Sequence, residues 1–99
     1  MKVRFKIWLE KDGEPIISEG KYRLLKEVER LGSIKEAAQS LGLSYKRAFS
    51  QIKTMEERLG FAVLERRRGK GAKLTRDGKR IMNEYERIYN AFKEVSLRV

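Results

Sequence analysis

The 99-residue chain carries 24 lysines and arginines against 14 aspartates and glutamates, a formal charge of +10, and 40% of its residues are apolar. That is material for about one domain with its own core, since single cores usually serve roughly 100–150 residues, and it excludes both two full domains and a disordered basic tail. The absence of cysteine and histidine removes thiol nucleophiles, disulfides, the softest metal ligands and the side chain best suited to proton transfer near neutrality.

In chain order, Val3, Phe5, Ile7 and Leu9 alternate with Lys2, Arg4, Lys6 and Glu10, and a period of two predicts a strand with one apolar face. Trp8 falls on its more polar side, positioned to cover another element. Asp12-Gly13 supplies a tight turn, after which Pro15-Ile16-Ile17 pairs back as a short edge strand, where proline is tolerated. From about 19 to 31, Tyr22, Leu24, Leu25, Val28 and Leu31 recur at helical spacing, and Gly32 provides the stop. Ser33 then caps a short helix through about 40, with Glu36 completing a capping box and Ile34, Ala37, Ala38 and Leu41 facing inward. Ser44 caps the next helix, which runs to about 59 before Gly60.

Two helices joined by Leu41-Gly42-Leu43, the first short and rich in alanine, match a helix-turn-helix, whose close crossing needs small residues and a turn glycine. Beyond it, strands at 62–66 and 72–74 flank the loop Arg67-Arg68-Gly69-Lys70-Gly71 and predict a two-stranded wing. Thr75 caps a final helix with Asp77 in its first turn, although Gly78 weakens that start by about 1 kcal/mol relative to alanine. The expected fold is mainly α with a small β component. It is a winged helix-turn-helix in one domain, 1–99, with an N-terminal strand or hairpin, the helix-turn-helix over about 33–59, the wing over about 62–74 and a long C-terminal dimerisation helix over about 75–99.

Charge is not spread evenly along these elements. Residues 1–43 hold nine basic and seven acidic side chains, 44–80 hold twelve and four, and 81–99 hold three and three, so eight of the ten excess charges sit in the middle third. Such segregation points to a face built for a polyanion. An anionic membrane would ask for large apolar side chains beside the cations, and the loop from Arg66 to Lys73 offers none. On the helix that Ser44 opens, Tyr45, Ala48, Phe49, Ile52, Met55 and Leu59 form the inward side. Lys46, Arg47, Ser50, Gln51, Lys53 and Thr54 form the opposite side, each able to donate a hydrogen bond. The N-terminal half of that helix is therefore expected in the major groove of double-stranded DNA, with Glu56 and Glu57 keeping the C-terminal half back from phosphate. Arg47 suits a guanine edge and Gln51 an adenine edge, whereas Lys46, Lys53, Ser33 and Lys35 suit phosphate. The wing cations Arg66, Arg67, Arg68, Lys70 and Lys73 are expected along phosphates or in the minor groove, because their crowding on a thin hairpin is relieved by a polyanion.

In the terminal helix Ile81, Tyr85, Ile88, Phe92, Val95 and Val99 recur at spacings of four and three, with Met82 and Tyr89 widening the stripe. That is the alternation of a helix–helix seam, and it predicts a two-fold homodimer through Ile81, Tyr85, Ile88, Tyr89, Phe92 and Val95, with two recognition helices about 34 Å apart. Packing of the stripe on the first helix alone is the competing reading.

Trp8-Leu9-Glu10-Lys11-Asp12-Gly13-Glu14-Pro15, Gly32-Ser33-Ile34, Ala37-Ala38 and above all Gly42-Leu43-Ser44-Tyr45-Lys46-Arg47-Ala48-Phe49 closely resemble the N-terminal winged helix-turn-helix domain of the ModE family of molybdate-responsive transcriptional regulators. The resemblance spans nearly the whole chain. The segment from Glu56 to Gly78 also looks like the wing of LysR-type regulators, but Ser44-Tyr45-Lys46 fits the ModE family better. Membership implies a DNA-binding dimer acting on transcription, with contacts at Ser44, Tyr45, Lys46, Arg47 and the wing cations. Phe49 stands where that family often has tryptophan, a change that keeps an aromatic core residue. Full-length members bind molybdate in separate C-terminal domains, and this sequence stops at Val99, just after the helix that would precede them; a stand-alone DNA-binding unit is expected and molybdate binding is in doubt.

An enzyme is not expected, nor any cofactor. Ser18-Glu19-Gly20-Lys21 and Ser50-Gln51-Ile52-Lys53 fit S-x-x-K without its companion S-D-N and K-T-G elements, and Gly69-Lys70-Gly71 lacks the frame that cradles nucleotide phosphates. The longest uninterrupted apolar run, Phe61-Ala62-Val63-Leu64, falls far short of the ~18–20 residues that cross a bilayer, and Met1-Lys2-Val3 leads into charge rather than a secretory apolar segment, so a cytoplasmic protein is expected. A sequence-tolerant architectural DNA or chromatin protein, and a protein-interaction module in a larger complex, remain the alternatives to a sequence-specific regulator.

Overall fold

A computed structural model describes residues 3–97. Met1, Lys2 and the expected seam residue Val99 lie outside the described residues. The elements run β1 (Leu9–Lys11), β2 (Glu14–Ile17), α1 (Glu19–Leu31), α2 (Ile34–Ser40), α3 (Tyr45–Leu59), β3 (Leu64–Arg67), β4 (Gly71–Leu74) and α4 (Arg76–Ser96). Two antiparallel hairpins, β1–β2 and β3–β4, flank the helices.

Local chemistry explains most of the boundaries. Asp12 (φ 53°) and Gly13 (φ 78°) both sit in left-handed backbone space, as a two-residue primed turn between antiparallel strands requires. Gly32 closes α1 at φ 71°, its N–H reaching the Val28 carbonyl. Ser33 Oγ accepts from the Glu36 N–H at 3.1 Å, Ser44 Oγ from the Arg47 N–H at 3.1 Å, and Thr75 Oγ1 from the Gly78 N–H at 2.9 Å. All three expected caps therefore form, each supplying an acceptor to an N–H that has no partner within its own helix.

The helix-turn-helix crossing depends on small side chains. Ala37 and Ala38 of α2 and Ala48 of α3 are fully buried where the two helices pack. Leu24, Leu25 and Val28 of α1, Ile52 and Met55 of α3, Val63 and Leu74 at the wing base, and Met82 and Tyr85 of α4 complete one apolar core. No polar or charged residue is buried among the described residues, which agrees with the cost of removing such groups from water.

Three expectations need correction. The strand read from Val3 to Glu10 forms a ladder only over Leu9–Lys11, while residues 3–8 run outside any sheet. The alternation is real, but β2 ends at Ile17 and leaves nothing for the earlier residues to pair with; Phe5 instead lies against Tyr89 (5.4 Å between ring centroids), and the Ile7 carbonyl accepts from the Tyr85 hydroxyl at 3.1 Å. Trp8 is 53% exposed, donates to Glu10 Oε1 at 2.7 Å and lines a depression with Glu19 of α1 and Tyr85 of α4.

The wing strands begin and end differently from the reading of 62–66 and 72–74. Ala62 and Val63 do not join the ladder because their carbonyls accept from the Thr75 hydroxyl (2.7 Å) and the Thr75 N–H (3.0 Å). The remaining register pairs Leu64 with Leu74, Glu65 with Lys73, Arg66 with Ala72 and Arg67 with Gly71.

Gly78 is a packing requirement rather than a weak start. Helix propensity favours alanine there by about 1 kcal/mol, but a Cβ would stand 2.2 Å from the Val63 carbonyl oxygen. The absent side chain lets α4 begin directly against the base of the wing.

Candidate nucleic-acid interface

Helix α3 shows the expected two sides, with one change at its N-terminal end. Ala48, Ile52, Met55 and Leu59 are buried, and Lys46, Arg47, Ser50 and Lys53 are exposed; Gln51 and Thr54 are half-buried. Tyr45 and Phe49, read as inward, are not core residues: Tyr45 is 51% exposed and Phe49 half-buried. Their ring centroids lie 6.0 Å apart in a stacked pair, and the Arg66 guanidinium of the wing sits 4.5 Å above the Phe49 ring. The angular position of Tyr45 is on the inward side, but the helix begins there before the core does.

The wing is brought beside this end of α3 by backbone contacts. The Ala72 N–H donates to the Gly32 carbonyl at 2.9 Å, which places β4 against the turn between α1 and α2. Gly71 permits that approach, since a Cβ on it would lie 2.1 Å from the same carbonyl oxygen and its φ is +78°. At the other strand, Glu56 Oε2 accepts from the N–H groups of Val63 (2.8 Å) and Leu64 (3.3 Å).

The result is a shallow groove of about 300 Å³ whose walls include Ser33, Lys35, Tyr45, Arg66, Arg67 and Arg68. Residues from α2, α3 and the wing thus share one outward surface. Alternation along the hairpin divides its cations: Arg66 stands on the side of α3, whereas Arg67 and Lys73 stand on the side of Glu65. Glu65 accepts from Arg67 at 3.2 Å and lies 3.9 Å from Lys73. Lys73 lines a second depression, with Gly32, Glu65 and Lys70, and not the groove beside Tyr45.

Most arginines of α1 and α4 are paired, although among the described residues Lys21, Arg76, Lys79 and Lys93 on the same helices form no ion pair. Arg23, Lys26 and Arg30 on α1 and Arg80 and Arg87 on α4 each face a carboxylate. Among the described residues, Lys35, Lys46, Arg47, Lys53, Arg68 and Lys70 have no side-chain hydrogen bond or ion pair within the chain.

The terminal stripe splits between two roles. Tyr85, expected at a dimer seam, is 1% exposed and belongs to the chain's own core, its ring tilted against Tyr22 with centroids 5.1 Å apart. Ile81, Ile88 and Tyr89 are half-buried, and Phe92 (54%) and Val95 (63%) are exposed. Tyr22 also donates to Glu86 Oε2 at 2.6 Å; that hydrogen bond holds the Glu86 carboxyl below its ordinary range, and burial together with the same carboxylate pushes the Tyr22 hydroxyl up.

Glu56, Gly71 and the Phe49–Arg66 stack are the parts of this site that the sequence reading missed. No group of histidine, cysteine or acidic side chains suited to a metal occurs among the described residues, and no helix is long and apolar enough to cross a membrane.

The helix-turn-helix with its basic wing defines a class of regulatory domain. A family model for the bacterial regulatory helix-turn-helix protein, lysR family, matches residues 20–79, and the chain belongs to that family. The ModE resemblance is also found: the molybdenum transport protein ModE of Azotobacter vinelandii is 39% identical over 84 residues, covering 81% of this chain. The chain spans 31% of that protein's length. Among solved structures, the DNA-binding domain of CbnR in complex with DNA superposes with a TM-score of 0.66 at 25% identity, covering 80% of this chain and 90% of that one. The DNA-binding domain of BenM on benA site 1 DNA gives 0.65 at 26% identity, covering 80% and 92%.

Proposed function

We propose that residues 1–99 form a single DNA-binding domain of a sequence-specific transcriptional regulator that acts in the cytoplasm as a homodimer and carries out no catalytic step. The observation that carries this reading is the groove that joins α2, α3 and the wing, with the unpaired Lys35 and Arg68 in its walls, together with the exposed and unpaired Lys46, Arg47 and Lys53 of α3. Cations left without carboxylate partners on one surface are available to a polyanion at no cost in broken ion pairs. Two neighbours at 25% identity or above were crystallised with DNA, which supports the same partner here.

In this reading Arg47 and Gln51 reach base edges, the one guanidinium suited to guanine and the amide to adenine. Ser44, Tyr45 and Ser50 line the entry of α3 into the groove. Lys46, Lys53, Ser33 and Lys35 hold phosphate and set the register, and Arg67, Arg68 and Lys70 extend that hold along the backbone, with Arg66 and Lys73 at the wing's two faces. Phe92 and Val95, continuous with Ile88 and Tyr89, form the two-fold seam; Tyr85 supports it from the core. Nothing in the domain is assigned to molybdate.

Competition between genomic fragments and random duplexes tests the reading. A regulator selects fragments that share a two-fold symmetric site and prefers them by at least about 10³-fold, the lower end for specific binders. Equal affinity for all duplexes would replace it with sequence-tolerant architectural binding.

A further inference from the structure

We infer that Glu56 is a positioning residue for the wing, holding the cationic hairpin in the orientation that lets it reach DNA; this rests on the DNA-binding reading above. Glu56 lies near the C-terminal end of α3, where a carboxylate is misplaced on charge alone, because it subtracts from the field of the very surface that must attract phosphate. Its geometry explains its presence. One oxygen, Oε2, accepts from two successive N–H groups, Val63 at 2.8 Å and Leu64 at 3.3 Å, at the point where the chain leaves Gly60 and enters β3.

Those two residues are the root of the hairpin. Val63 is fully buried and Leu64 nearly so, so neither N–H has water as an alternative partner. The Val63 carbonyl is already committed to the Thr75 N–H at 3.0 Å, and Gly78 packs against the same peptide. Beyond Leu64 every residue to Gly71 is exposed, and the hairpin meets the body again through Arg66 over Phe49, through the Ala72 N–H on Gly32 and through the buried Leu74 at the end of β4. The direction of an exposed hairpin is set where it is rooted. Glu56 therefore ties the recognition helix and the wing into one rigid unit, so that Arg67, Arg68 and Lys70 keep a fixed spacing from Arg47.

The inference separates position from charge, because Glu56→Gln removes the negative charge and keeps a carbonyl oxygen able to accept both N–H groups, whereas Glu56→Ala removes both. Fluorescence anisotropy on a selected duplex across a salt series, with amide hydrogen exchange on the free protein, reads the difference. Glu56→Gln is expected to bind at least as tightly as wild type. Glu56→Ala is expected to bind about tenfold more weakly, with a salt slope shallower by about one, the loss of about one phosphate contact at about 0.9. In a chain already carrying Arg66→Ala, Arg67→Ala and Arg68→Ala, Glu56→Ala should cost no further affinity. In hydrogen exchange, Glu56→Ala should speed exchange across β3 and β4 while Leu24, Leu25 and Val28 stay protected, and Glu56→Gln should not.

Equal behaviour of the Gln and Ala variants, or an Ala penalty that persists without the wing arginines, would overturn the inference. If wild type fails to bind any duplex, the DNA-binding reading falls, and the exchange pattern still decides whether Glu56 holds the wing.

Discussion

The α1–α4 side of the molecule and the α3–wing side differ in how many carboxylates accompany their cations. On the first, Arg23, Lys26, Arg30, Arg80 and Arg87 are matched to carboxylates one helical turn away or across the helix pair. On the second, Arg67 and Lys73 share Glu65 and Arg58 meets Glu14, but among the described residues Lys46, Arg47, Lys53, Arg68 and Lys70 have no such partner; Lys21, Arg76, Lys79 and Lys93 on the first are unpaired as well. Exposed pairs contribute little to stability, with a median of about 0–1 kcal/mol, so pairing on one side is not what holds the fold together. Its consequence is electrostatic: α1 and α4 each carry a net charge of +1, whereas α3 and the wing together hold +6 of the chain's +10 as a field that falls on whatever approaches the wing.

The largest expected effect comes from erasing that contrast. Replacing Arg66, Arg67 and Arg68 together by alanine should weaken duplex binding about 10²–10³-fold near physiological salt, through the loss of two to three phosphate contacts; a loss below threefold would mean that the wing does not face DNA. A smaller effect, confined to one sequence, is expected of Arg47→Ala. It should cost about 1–3 kcal/mol on a selected site and much less on random DNA, so equal losses on both would move Arg47 from base reading to phosphate.

Gly78→Ala tests the junction between the two sides. Propensity predicts a gain of about 1 kcal/mol, whereas the 2.2 Å approach of a Cβ to the Val63 carbonyl predicts a net loss of about 1–2 kcal/mol by displacing the wing base. Urea denaturation with the sign of the change decides between them.

The smallest effect belongs to the paired side. Hydrogen bonds from Arg30 and Ser40 hold the Glu27 carboxyl at about 2, below its ordinary 4.5. A carboxyl lowered in the folded state stabilises the fold above its ordinary value and loses that contribution as pH falls toward about 2. Wild type should therefore exceed Glu27→Gln in stability above about pH 5, and the gap should close on acidification. A gap independent of pH would show that the Ser40 contact, not the charge, is what counts. The same variant should leave duplex affinity unchanged.

How much of this was legible in the sequence follows from the range of the interactions involved. The caps at Ser33, Ser44 and Thr75 and the stops at Gly32 and Gly60 act within one helical turn, so the helices could be read to within a residue or two. The strand at 3–8 could not, because a period of two reports that one face is apolar and not that a partner strand exists. Phe5 and Ile7 use that face against α4 instead. Similarly, a helical wheel places Tyr45 and Phe49 at an angle without saying whether core lies opposite, and heptad spacing describes Tyr85 equally well in a seam or in the core. At the interface, the residue types and their clustering between 44 and 73 were readable, since charge segregation needs no coordinates. Glu56 was not: its partners lie seven and eight residues on, past the Gly60 turn, and its charge argued for exclusion from the site it braces.

The central claim is that the unpaired cations, and not the total charge, bind DNA. The dependence of duplex affinity on salt tests it most directly, measured for wild type, for Arg23→Ala with Arg30→Ala, and for Arg68→Ala with Lys70→Ala. The account predicts a log–log slope near −5 to −7 for wild type, from about six to eight phosphates per protomer, unchanged when the paired α1 arginines are removed and shallower by about two when the unpaired wing cations are. Equal flattening by both double variants would contradict it, because binding would then follow net charge wherever it sits.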